Sequence, residues 1–186
     1  MPEMTMLGWF HTILGVVAVL SGFYTLYKYR VISMEEGSGR LYVYVTLLVA
    51  GSALGIYNQG GFGIAHVLAV LTLIAIAGGF VMEKTKLFGS FSKYLQALAY
   101  TSTLLFHMIP AITDFLRRLP VGDPFIDSFE DPLLVNFHLA FLLIFVIGII
   151  TQFFGLKNKI IKKSGYFNRA LCWLNQVRLK IFSVSH

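Results

Sequence analysis

Five stretches of this 186-residue chain contain no Asp, Glu, Lys or Arg: 5–27, 41–57, 62–82, 95–113 and 133–156. A helix needs about 20 apolar residues to cross the hydrocarbon core of a bilayer, with roughly 17 as the lower limit. Four of the runs clear that limit and the second sits on it. The expected fold is therefore all-α: an integral membrane bundle of five transmembrane helices over 1–156. A basic cytoplasmic tail, 157–186, follows as an amphipathic interfacial helix. A composition of 56% hydrophobic and 13% charged residues agrees, because a soluble domain needs far more charge to cover its surface.

The few charges set an orientation. Lys28, Arg30 and Arg40 border the first connection, and Lys84, Lys86 and Lys93 the third. Lys157, Lys159, Lys162, Lys163, Arg169, Arg178 and Lys180 follow the last run. The second connection, "NQGGFG", has no charge. The fourth holds Arg117 and Arg118 together with Asp114, Asp123, Asp127, Glu130 and Asp131. Thirteen of the fifteen basic residues thus fall on one side of a five-span chain. The positive-inside rule places that side in the cytoplasm of a bacterial plasma membrane, with the N-terminus outside. A net charge of +6 arranged this way points to the lipid bilayer as partner and away from nucleic acid.

Other classes are excluded more directly. Glu3 is the only charge before the first run, so that run reads as a span and not as a cleaved signal peptide. Cys172 is the single cysteine, which excludes an intramolecular disulfide. There is no phosphate-binding loop, dinucleotide fingerprint or paired-cysteine metal motif. In the tail, Phe167, Leu171, Leu174, Val177 and Ile181 recur at steps of three and four. That face, flanked by basic residues, is suited to the inner leaflet. The outer connection, 113–136, carries Pro120, Pro124 and Pro132 and five of the nine acidic residues. Its length and its apolar residues are those of either a lid over the span ends or a surface loop.

Four of the apolar runs carry a histidine: His11 in "GWFHTILG", His66 in "GFGIAHVLAV", His107 in "TLLFHMIPAITDF" and His138 in "VNFHLAFLL". With the orientation above, all four lie in the outer third of the membrane, each on a different helix. Positions seven apart differ by only about 20° around a helix axis. Tyr100, His107 and Asp114 therefore form one stripe, His138 and Gln152 share a face, and so do His11 and Thr25. Such stripes point inward, since lipid cannot satisfy them. Pro110 is placed to kink the fourth helix beside His107. Gly8, Gly15 and Gly22 form a heptad seam, and Gly51 and Gly55 a small-residue pair, both suited to close helix packing.

The stretches "FHTILGVVAVLSG", "GGFGIAHVLAVLTL", "LLFHMIPAITDFLRRLPVG" and "VNFHLAFLL" resemble a family of small bacterial membrane proteins catalogued as a domain of unknown function. That resemblance implies a helical membrane fold. Single histidines spread over several helices also resemble the logic of small b-type cytochromes, although a common di-haem pattern divides its histidines between two depths. Three functions follow. Haem b could be ligated axially by histidines among His11, His66, His107 and His138, passing electrons to or from quinol or an outer acceptor. The same four residues with Asp114 could instead bind non-haem Zn, Cu or Fe, as a metalloenzyme, metal carrier or assembly factor, with Tyr100 and Asp114 as supporting groups. Or the histidines could be structural, each bonding between helices with no cofactor. Catalytic residues and oligomeric state are left open.

The orientation is tested by membrane-impermeant labelling at introduced sites. Residues in 121–130 should react from outside and residues in 165–186 only from the cytoplasmic side; the opposite pattern would overturn the outer position of the histidines.

Overall fold

The computed structural model describes residues 5–56 and 61–183, with side chains through 158. Its elements are α1 (Met6–Tyr29), α2 (Gly37–Ala53), α3 (Ile64–Thr85), a 3-10 turn (Gly89–Phe91), α4 (Ser92–Arg118) and α5 (Pro132–Ser183). No strand occurs among the described residues. Four helical segments are long and apolar enough to cross a membrane: Met6–Tyr29, Ile64–Thr85, Gly89–Arg118 and Pro132–Asn158. α2, with 17 residues, falls short by length. Large apolar side chains such as Ile13, Leu20, Ile74 and Ile144 are exposed, as lipid-facing positions of a bilayer protein are.

Two compact units divide the chain, 1–152 and 153–186. The second contains the later turns of α5, whose backbone stays helical to Ser183. The expected apolar face from Phe167 to Ile181 lies outside the described side chains.

Within the first unit the helices pair antiparallel. Thr25 Oγ1 donates to Ser38 Oγ at 2.9 Å, joining the end of α1 to the start of α2. His11, near the start of α1, meets Val49 and Ser52 at the end of α2. α3 and α4 are joined where Tyr100 reaches Glu83 at 3.1 Å. Buried Tyr42 and Tyr100 fill the centre with Ile32, Val43, Ile76 and Leu104. Glycines admit these rings: a Cβ at Gly22 would sit 2.8 Å from the ring of Tyr42, and one at Gly79 2.6 Å from that of Tyr100. Gly15 and Gly51 of the expected glycine seams face open space instead. Sequence periodicity identifies small residues on a face but not which face receives a neighbour.

The end of the bundle where α1 and α3 finish is tied by one carboxylate. Glu83 Oε1 accepts from Ser33 Oγ at 2.6 Å and from the Met34 backbone N–H at 2.8 Å, while Oε2 accepts from Tyr100. Gln96 Nε2 adds a bond to the Ile32 carbonyl at 3.2 Å. The connection after α1 is thereby held against α3 and α4.

The other end differs in extent from the sequence expectation. α4 runs on through Asp114 to Arg118 and continues through Pro110, so the connection to α5 is 119–131. Loss of charge marks the part of a helix in hydrocarbon, whereas the helix itself continues where its charges are hydrated. This connection folds back on α4: the Ile126 N–H donates to the Leu116 carbonyl at 3.3 Å, and Ile126 is buried with Leu116 and Leu134.

Gly79→Ala should destabilise the bundle by about 1–3 kcal/mol through overpacking against Tyr100. Gly148→Ala, where nothing lies within 4 Å, should be close to neutral. Unfolding titrations in mixed detergent check the difference, and equal stability of the two variants would contradict the Gly79–Tyr100 packing.

Candidate functional site

Helix direction brings all four histidines to the same end of the bundle. His11 is the sixth residue of α1 and His66 is the third residue of α3. His107 and His138 lie near the end of α4 and the start of α5. His11 and His107 are within electrostatic range of each other, and Asp114 is within range of His11. The shared face predicted for His11 and Thr25 is the one packed on α2. That of His138 and Gln152 is packed on α4, where Gln152 and Thr101 bond at 3.2 Å.

The four rings are held by different partners. His11 Nδ1 lies 3.2 Å from the Val49 carbonyl and 3.0 Å from Ser52 Oγ. A carbonyl only accepts, so Nδ1 carries the hydrogen and Nε2 of the neutral ring keeps its lone pair. The same reasoning applies to His138, whose Nε2 lies 3.3 Å from Thr113 Oγ1 and 3.4 Å from the Ile109 carbonyl. There Nε2–H donates and Nδ1 keeps the lone pair. His66 is the reverse case: its Nδ1 accepts from the Gly63 backbone N–H at 3.1 Å, closing the first turn of α3. Its ring also stacks on Phe62 with centroids 5.1 Å apart.

His107 is buried, and its Nε2 has no hydrogen-bond partner. An unpaired buried polar atom costs about 1–3 kcal/mol, so a fold that retains one invites a functional explanation.

The supporting residues are used differently from the sequence expectation. The Tyr100 hydroxyl is directed to Glu83, at the opposite end of the bundle from the histidines. Asp114, largely exposed, pairs with Arg118, whose Nε lies 3.8 Å from its Oδ1. Among the described residues, no three of His, Cys, Asp and Glu converge closely enough to hold a metal ion. Sequence reasoning did not single out Glu83, and it named Arg118 as a charge of the fourth connection without assigning it a role. The i,i+4 spacing of Asp114 and Arg118 was a readable signal for the latter. Glu83 offered only its position at the end of an apolar run.

Comparisons with protein-family models, curated proteins and solved structures find no match to this chain.

If the His107 ring lacks a partner in the resting fold, an apolar replacement should not harm it. His107→Leu should be at least as thermally stable as the ligand-free wild type, whereas His11→Leu should lose about 0.6 kcal/mol, the average for bonds between membrane helices. A clear loss of stability in the His107 variant would show that the ring is already satisfied.

Proposed function

We propose that this chain is a five-span protein of the bacterial plasma membrane that binds haem b near its outer face through His107 and His11. Electron exchange with quinol or an outer acceptor is the corresponding activity. The observation that carries the reading is the buried, unpartnered Nε2 of His107, within electrostatic range of His11. The His11 ring is held by its other nitrogen, an arrangement that fixes orientation and leaves Nε2 available. Haem iron takes two axial imidazoles, whereas a non-haem site ordinarily draws three or four protein ligands. The dispersed histidines therefore suit haem better than a metal cage.

When bound, the group would supply one-electron chemistry. The chain's own residues do the positioning. The Val49 carbonyl and Ser52 orient His11, and the folded connection after α4 covers the outer ends of α4 and α5.

The fifth span in this reading is α2. It lies alongside α1 from the level of Thr25 to that of His11, so its fifteen residues from Ser38 to Ser52 match the fifteen from His11 to Thr25. A chain that crosses with α1 and again with α3 in the same direction must return between them. The basic connections then face the cytoplasm, and the tail lies at the inner leaflet.

A structural reading is favoured by different bonds: His11 joins α1 to α2, and His138 joins α5 to α4. An optical spectrum with metal analysis on the same purified sample separates the readings. The expected result is reduced-minus-oxidised bands of a b-type haem, abolished in both His107→Ala and His11→Ala. Stoichiometric Zn, Cu or Fe without those bands would select a non-haem site. Neither haem nor metal, after expression with both in ample supply, would leave the histidines as ties between helices.

A further inference from the structure

The haem reading, on which this inference rests, leaves the acidic side chains of the porphyrin to be placed. We propose that Arg118 is the residue that receives a haem propionate at the outer end of α4. Arg118 follows His107 by eleven residues, which puts it within about 20° of the same helix face and about 16 Å further along the axis. Side chains on a helix tilt toward its N-terminus, so a long side chain at 118 reaches back toward 107. The guanidinium and the imidazole are thus arranged along one line.

The condition of the guanidinium supports the assignment. Arg118 Nε is buried and has no hydrogen-bond partner. Its ion pair with Asp114 is long, at 3.8 Å, and the carboxylate side is 66% exposed. Pairs of that kind hold a side chain weakly and can be exchanged for a better acceptor. A carboxylate from a buried ligand would offer the planar, two-oxygen acceptor that arginine binds best. The Nε of the adjacent Arg117 is buried without a hydrogen-bond partner as well, but its guanidinium lies over an aromatic ring, with Cζ 3.9 Å from the centroid of Phe129. It is therefore the natural control.

The test uses the full-length protein in detergent, titrated with haemin and with haemin dimethyl ester while the Soret band is followed. The wild type should bind haemin about ten- to a hundredfold more tightly than the ester, the range for one hydrogen bond to a charged group. Arg118→Gln should lose that preference while binding the ester as the wild type does, which also shows that the variant is folded. Arg117→Gln should keep the preference. An Arg118→Gln protein that still discriminates as the wild type does would overturn the role of Arg118 and leave haem binding intact. A wild-type protein that binds neither compound would overturn both readings.

Discussion

Lipid offers no hydrogen-bond partner, so each polar side chain that faces the interior of a membrane bundle must find one on its own or a neighbouring helix. Many of the described side chains meet this demand, although atoms such as Thr46 Oγ1 and His107 Nε2 are buried without a partner. Thr103 Oγ1 donates to the Tyr100 carbonyl at 2.7 Å, which leaves it to accept from the Tyr42 hydroxyl at 2.6 Å. Thr101 and Gln152 tie α4 to α5, and Thr25 and Ser38 tie α1 to α2. Glu83 gathers three donors from two other segments. Each bond contributes little by itself, on average about 0.6 kcal/mol, but each excludes alternative registers in which the same groups would face hydrocarbon unpaired.

Shape and polarity act together at the centre of this arrangement. Tyr42 and Tyr100 are fully buried, and each lies against a glycine on a neighbouring helix. The missing side chain lets the helices approach, and the approach brings the hydroxyls to Thr103 and Glu83. Packing and hydrogen bonding therefore specify the same register. The two ends of the bundle then differ. The end at Glu83 is cross-linked through a carboxylate, while the histidine end is joined through the His11 and His138 rings, with the 119–131 connection folded on α4.

At the histidine end the Nε2 of His107 is buried with no hydrogen-bond partner. Arg118 lies further along the same face of α4 and also has a buried Nε without a hydrogen-bond partner. A bundle built so that most polar groups are satisfied internally makes such exceptions informative, because packing alone gives no reason to keep them.

The apolar runs by themselves determined that the chain is helical and suited to a bilayer, because only internal backbone hydrogen bonding is compatible with hydrocarbon. Their order and direction also brought the four histidines to one end, since antiparallel neighbours alternate the ends of successive helices. Helical periodicity correctly paired His11 with Thr25 and His138 with Gln152 as shared faces. It could not say what those faces would meet. His66 closes its own helix through a local contact, but tertiary packing decided that His11 and His138 are oriented by carbonyls on neighbouring helices and that the Nε2 of His107 is buried with no hydrogen-bond partner. It also turned Tyr100 toward Glu83 and away from the histidines. The reason is that hydrogen-bond partners in a helical bundle are set by rotation and register between helices, and these depend on contacts such as Gly79 with Tyr100 that join residues far apart in the chain.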